Sequence, residues 1–181
     1  MSSAELRELV ASLVLAQKET DRQLKETDRQ LKETDQKLNR LEGLFGMQFG
    51  RLTEAILSPG CLKLFQKRGI AVVESMRRLH TSREGENLEI DLLLVNATEA
   101  VVVEMKAAFK VRDVDDLVED LEKFRKFFPK YNKHTLYGAV ASFEYLEDSD
   151  RYAHRNGLFV LTSSEETVAI ANPLNFKPKR F

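Results

Sequence analysis

From residue 19 to residue 38 the chain reads ETDRQLK, ETDRQLK, ETDQKL, a seven-residue pattern of apolar and polar positions repeated almost literally. Leu24, Leu31 and Leu38 recur at one position with Thr20, Thr27 and Thr34 between them, and Leu6, Val10, Leu13 and Leu41 continue the same seam. With leucine at a and threonine at d, this spacing predicts one helix of about 40 residues, roughly 60 Å at 1.5 Å per residue. A helix polar over most of its surface has too little apolar area to stand alone. Self-association as a coiled coil through residues 6–45 is therefore expected ahead of a solvated tether. Threonine at d weakens such a seam and leaves the order of the oligomer open. The Asp, Arg and Lys positions beside it read as a solvated face with ion pairs.

Gly43, Gly46 and Gly50 interrupt the heptads, and the pattern changes there. Two domains are expected, a coiled-coil helix over 1–42 and a second domain over 43–181. LFGMQFGRLTEAIL (44–57) predicts a helix that packs Leu44, Phe45, Phe49, Leu52, Ile56 and Leu57 and is stopped by Ser58, Pro59 and Gly60. A short helix over Cys61–Lys67 ends at Gly69, and GIAVVESMRRL (69–79) reads as a strand. Two further strands follow, Glu89–Val95 and Ala100–Lys106. A helix over Asp113–Phe128 then places apolar residues at 114, 117, 118, 121, 124 and 128. After Pro129 come the strand HTLYGAVASF, a helical turn near Asp148–Arg155, and a last pair of strands, GLFVLT and ETVAIAN. This order indicates an α/β fold, a mixed central sheet flanked by helices and preceded by the long N-terminal helix.

The chemistry lies in EIDLLLVNATEAVVVEMK, Glu89–Lys106, where charges interrupt core-like strands. A turn centred between Ala97 and Thr98 makes these strands an antiparallel hairpin with Asp91 opposite Glu104 and Glu89 opposite Lys106. Side chains alternate along a strand, so all four charges are expected on one face, with Ile90, Leu92, Leu94, Val101, Val103 and Met105 on the other. Two opposed carboxylates in a partly dehydrated site raise one pKa or require a cation. Oxygen ligands without His or Cys favour Mg²⁺ or Mn²⁺, and a nearby lysine suits phosphodiester hydrolysis. The plain alternative is a structural ion pair of Lys106 with Glu89 or Asp91. Burying unpaired charge in strands this apolar is costly and weighs against it.

Composition narrows the remaining classes. Across 181 residues, 43% are hydrophobic and 31% charged, with no apolar run long enough to cross a bilayer, so no membrane partner is expected. The N-terminus lacks a basic region before its apolar stretch and does not read as a signal peptide. A single cysteine, Cys61, cannot form an intramolecular disulfide and fits the cytoplasm. The net charge of −1 means that any nucleic-acid surface must be a local patch. No Gly-rich phosphate loop and no G-x-S-x-G elbow occur.

Glu89-Ile90-Asp91, a twelve-residue gap and Glu104-Met105-Lys106 resemble the PD-(D/E)XK nuclease superfamily. Within it, the chain looks most like bacterial members that carry an N-terminal coiled coil. The resemblance covers residues 44–163 in element order and implies a restriction-endonuclease-like fold. It implies that Asp91 and Glu104 bind the metal, with the Met105 carbonyl as a further ligand, that Lys106 is the catalytic lysine, and that Glu54 joins the site from the first core helix. Ile90 stands where the motif's proline would be, and Glu89 is an additional carboxylate without an assigned role.

Such an enzyme must also hold phosphates. Lys123, Arg125, Lys126, Lys130 and Lys133 cluster in EKFRKFFPKYNKH, with Phe127, Phe128 and Tyr131 available to stack on bases. Arg77, Arg78 and the terminal KPKR are secondary candidates. Each cluster alone also reads as ordinary surface charge or helix-end complementarity. The expected function is a Mg²⁺- or Mn²⁺-dependent nuclease acting on nucleic acid, with DNA first. The alternative is a catalytically silent nucleic-acid-binding or protein-scaffolding module of the same fold.

Overall fold

The computed structural model describes residues 3–163 and 168–181, and the side chains among them except those of 3, 5–10, 42–47 and 49. The side chains of Leu6, Val10, Leu44, Phe45 and Phe49, and residues 166–167 of the last expected strand, lie outside that description. The chain divides into two units, Met1–Met47 and Gln48–Phe181. Helix α1 (Ser3–Lys67) runs through the first and into the second.

In the first unit, the heptad pattern sorts its charges away from its leucines. Glu19 pairs with Arg22 and Glu26 with Arg29 at 3.1 and 2.8 Å, all at c and f positions. Leu13, Leu24, Leu31, Leu38 and Leu41 are each more than half exposed along the a and d seam. The Thr20 and Thr34 hydroxyls donate to the carbonyls of Ala16 and Gln30, at 3.0 and 2.8 Å. Those hydroxyls are satisfied inside the helix, which leaves their methyl groups as the surface a seam would meet.

The second unit departs from expectation at its first helix. Ser58, Pro59 and Gly60 do not end it, and Pro59 stands inside α1. The proline removes one bond, to the carbonyl of Ala55, and both residues are exposed, so water can reach that carbonyl. Thr53, Leu57, Cys61 and Phe65, four residues apart, meanwhile bury one continuous stripe. Burial at about 1.5–3 kcal/mol per large apolar side chain outweighs a proline penalty of about 3 kcal/mol. The same stripe leaves Leu52 and Ile56 exposed, where packing was expected.

The sheet consists of β1 (Glu74–Arg83), β2 (Glu86–Val95), β3 (Glu99–Phe109), β4 (Thr135–Tyr145), β5 (Phe159–Ser163) and β6 (Val168–Ile170), side by side in chain order. It is mixed: β3, β4 and β5 run parallel, and β1, β2 and β6 pair antiparallel with their neighbours. β1 begins later than the sequence pattern predicts, because Ile70 and Val72 are buried in an irregular segment before it. It closes on β2 through Glu84-Gly85, both at positive φ (54° and 82°), the backbone a tight two-residue hairpin requires.

The parallel steps need crossovers, and α2 (Val111–Phe127) and α3 (Ser149–Arg155) supply them on one face. Val114, Leu117, Leu121 and Phe124 of α2 join Ala153 of α3 over Leu93, Val95, Ala100 and Val102. At Gly138 of β4 an added Cβ would strike Leu121 and Leu158, so glycine lets α2 approach the sheet closely. On the opposite face Leu57, Cys61 and Phe65 cover Leu92, Leu94, Val101, Val103 and Met105. Among the described residues, no helix is long and apolar enough to cross a membrane.

Candidate active site

The hairpin turn sets the register of the site. Asn96 Oδ1 accepts from the N–H groups of Thr98 and Glu99 at 2.8 and 2.7 Å, a side-chain turn that ties the loop in place. Val95 then pairs with Ala100 and Leu92 with Val103, and the same count puts Asp91 and Glu104 at the level beyond that last pair. At that point the ladder between β2 and β3 ends. The Met105 N–H donates to Asp91 Oδ2 at 2.8 Å, so a carboxylate takes the place of the next backbone acceptor.

The expectation that Glu89 would face Lys106 does not survive the end of the ladder. Glu89 pairs instead with His80 of β1, while Lys106 pairs with Ser142 of β4. The expected facing of Ile90 is also reversed. Ile90 lies in the core under α2 with Leu88 and Leu93, while Leu92 and Leu94 of the same strand lie under α1 with Val101, Val103 and Met105. The cause is a matched irregularity at Arg78 and Asp91, which drop out of an otherwise continuous β1–β2 register. Arg78 has a left-handed backbone (φ 53°), and Met76 and Leu79, three apart, both pack toward α2. Alternation is thereby reset at the position of Asp91.

Lys106 lies on the α2 side. Its Nζ donates to Asp113 Oδ1 at 2.9 Å and stands 3.6 Å from Glu104. Asp113 also accepts from the Lys110 N–H at 2.8 Å, locking the first turn of α2 to the end of β3. The Ser142 Oγ lies 2.8 Å from the Lys106 carbonyl and pins the strand from the other side. Neither Asp113 nor Ser142 was apparent from the sequence. KVRD at a helix start resembles any capped N-terminus, and only the tertiary contact identifies the Asp113 partner.

Charge accumulates where the strands part. Burial pushes the Glu104 carboxyl up to about 8, aided by the charge of Asp91 and opposed by Lys106. Asp91 is also raised, first by burial and then by the charges of Glu54 and Glu89, against the Met105 N–H. Burial opposes the Lys106 charge, but the Asp113 hydrogen bond and the carboxylates around it hold its pKa above the ordinary lysine value. Asp120 of α2, raised by burial, adds a further acid whose charge acts on Glu104. Glu54 is mostly buried and accepts from Arg78 Nε at 2.6 Å. The structure thus brings Asp91, Glu104, Lys106 and Glu54 together and adds Asp113 and Arg78.

These groups suit a cation in one specific way. Two partly dehydrated carboxylates, Glu104 raised by burial and the charge of Asp91, and Asp91 raised by burial and the charges of Glu54 and Glu89, gain from positive charge between them. Among the described residues, no three His, Cys, Asp or Glu side chains are arranged as a ready cage. The groups present to hold an ion would be two carboxylates, with water needed to complete any shell, and oxygen donors of this kind suit a hard cation.

The basic cluster lies elsewhere. Asp113 and Arg125 are twelve residues apart on α2, about 18 Å at 1.5 Å per residue. Arg125 donates to the carbonyls of Tyr131, Asn132, His134 and Phe181, a fork filled by backbone. Lys123 pairs with Glu119, and Lys126 with Glu84 and Glu86. Lys130 sits over the Tyr131 ring at 4.8 Å, and Lys133 is exposed. Phe127 and Tyr131, expected to be free for base stacking, are buried in the core, and Phe128 packs against them. The helical period carries residues 124 and 127 inward together.

No protein-family model matches the chain, and no curated protein matches it. Among solved structures it is similar to a repair endonuclease from Pyrococcus abyssi at 14% identity and a TM-score of 0.39, over 52% of this chain and 40% of that one. It is also similar to a protein of unknown function at 12% identity and a TM-score of 0.39, over 59% of this chain and 58% of that one. The chain spans less than two thirds of either, and likenesses of this size carry no inference about activity.

Proposed function

We propose that the chain is a metal-dependent phosphodiester hydrolase of the PD-(D/E)XK nuclease type, with a restriction-endonuclease-like core and nucleic acid as substrate. The observation that carries this reading is the half-buried pair Asp91 and Glu104, on neighbouring strands just beyond their last ladder pair, with the charge of Asp91 acting on Glu104 and Lys106 next to Glu104. Both carboxylates stay raised by burial despite the charge of Lys106, so a cation between them would be favoured.

Asp91, Glu104 and the Met105 carbonyl would hold Mg²⁺ or Mn²⁺. When bound, the ion supplies charge compensation for the carboxylates and polarises a phosphate oxygen. Lys106 keeps its ammonium charged and offsets negative charge growing on the phosphate. Asp113 holds that ammonium at a fixed point, and fixed donors lose little reorganisation energy during reaction. Glu54 adds negative charge at Asp91 and anchors Arg78 beside it.

In this reading the first unit self-associates through residues 6–45, supported by the exposed leucine seam and by threonine hydroxyls satisfied within the helix. Leu24→Asp with Leu31→Asp should reduce the sedimenting species to a monomer. The purified 181-residue chain should cut plasmid, single-stranded or branched DNA, or RNA, with Mg²⁺ or Mn²⁺ and not with EDTA. Glu104→Ala and Lys106→Ala should each abolish cutting. Cleavage that persists in both variants would remove the basis for the proposal.

A further inference from the structure

Beside the acidic pair, a cleft between α1 and β1 is lined by Arg51, Glu54, Ala55, Arg77 and Arg78. Three guanidinium groups share it with one carboxylate, and that carboxylate is already paired with Arg78. Arg51 and Arg77 are exposed and have no ion pair among the described residues. Like charges gathered in a concave surface repel one another unless an anion lies between them. Arginine's planar fork matches the oxygens of a phosphate better than a lysine ammonium does.

The position of this cleft is built into the sheet. Arg78 and Asp91 are the positions skipped between the pairs Arg77 with Leu92 and Leu79 with Ile90, and Asp91 and Glu104 are the positions next beyond the pair Leu92 with Val103. Arg78, Asp91 and Glu104 therefore fall at one interrupted level of three neighbouring strands, a row of positions rather than of ladder pairs, with strands about 4.8 Å apart. Arg78 takes its place in that row only through a left-handed backbone, a conformation that costs a non-glycine residue free energy and concentrates at functional sites. Glu54 links the two halves, since it holds Arg78 and its charge acts on Asp91. The Lys123–Lys133 segment offers no comparable position, being at the far end of α2 with its charges largely paired.

We propose that Arg51, Arg77 and Arg78 form the phosphate clamp through which a nucleic-acid strand docks, passing along the α1–β1 cleft onto Asp91 and Glu104. This rests on the nuclease reading for the role of the acidic pair, but binding tests it separately from cleavage. A phosphodiester backbone is the partner the geometry favours over an acidic protein. Evenly spaced phosphates can occupy the arginine forks in series and bidentately, whereas the carboxylates of an acidic peptide have no such fixed spacing.

The test is fluorescence anisotropy with the 181-residue chain and a labelled oligonucleotide, single-stranded or duplex, in EDTA over a range of salt concentrations. Arg51→Ala with Arg77→Ala should weaken binding about ten- to a hundredfold and lower the salt slope by about two. Arg77→Glu is a second variant at an exposed position, and its thermal melt shows whether the fold is kept. Lys123→Ala with Lys130→Ala and Lys133→Ala should bind like the parent. Unchanged binding in both arginine variants, loss confined to the lysine variant, or no binding by the parent would overturn the clamp. Binding lost in the arginine variants with no cleavage by the parent would support the clamp and count against the hydrolase. Cleavage lost on Glu104→Ala with arginine variants that bind normally would do the reverse.

Discussion

The two ends of α2 carry similar numbers of charged residues and treat them in opposite ways. At its start Asp113 meets Lys106, and Glu104, Asp91 and Asp120 crowd nearby with their protonation displaced by burial. At its end Arg125 is filled by four carbonyls, and Lys123 and Lys126 are matched with surface glutamates. Charge density alone would rank the basic end as the interesting one. What separates the two is whether like charges are forced together out of water. Where that happens stability is lost, and the arrangement persists for some other reason; where charges are exposed and paired, solubility is reason enough.

The largest contrast is expected in turnover. Lys106→Met should lower the hydrolytic rate at least about a hundredfold. Lys123→Met should stay within about twofold, since its exposed amine pairs with Glu119 on the same helix face. Equal losses in the two variants would erase the distinction between the ends.

Next in size is the pH dependence of stability. The folded state holds the Glu104 proton up to about 8, against an ordinary 4.5. The stability linked to this group is therefore full below about pH 4.5 and is lost as pH rises through 8. The metal-free protein should lose on the order of a few kcal/mol across that window. Glu104→Gln should flatten the profile in urea melts at successive pH values. Mn²⁺ should restore stability most at the alkaline end, where the carboxylates are ionised. A metal-free profile that rises between pH 5 and 8, and does so unchanged in Glu104→Gln, would contradict the burial of this acid.

Arg125 provides the converse case at the other end. Its guanidinium ties the segment after α2 and the C-terminal residue to the helix. Arg125→Ala should cost about 2–3 kcal/mol in urea melts and leave oligonucleotide affinity unchanged. Arg125→Lys should recover little, because one ammonium cannot span the fork. If Arg125→Ala weakens binding while leaving stability intact, the basic end is an interface after all.

The parts of this arrangement that were legible in the sequence are those set by local chemistry. Asn96 ties its own turn, so the register of Asp91 against Glu104 follows from counting outward from it. The heptads, the apolar stripe of α2 and the order of strands follow from periodicity in the same way. What stayed hidden depends on distant partners. The helix passes Pro59 because Leu57, Cys61 and Phe65 find the sheet. Ile90 changes sides because Arg78, on another strand, adopts a left-handed backbone. Asp113 becomes part of the site, and Arg125 part of the scaffold, only once β3 and the C-terminus are packed against α2. A cluster of lysines and arginines in one segment suggests a surface, but it cannot show whose oxygens they already hold.

The smallest expected effect tests the claim that paired surface charge does little. Lys126 lies between Glu84 and Glu86 at 3.1 and 3.0 Å, and it is the nearest match at the basic end to Lys106 between its own two carboxylates. Distances alone would make the two lysines equivalent. They differ in surroundings: the Lys126 trio is exposed to water and mobile ions, which screen both attraction and repulsion. Lys126→Ala should move the melting temperature by no more than about 2 °C, and raising the salt concentration should not enlarge that change. Lys106→Ala in the same assay should also alter how stability depends on pH, since Glu104 and Asp113 would lose the charge that opposes their protonation. A pH dependence altered equally by both substitutions would mean that burial does not distinguish the two ends.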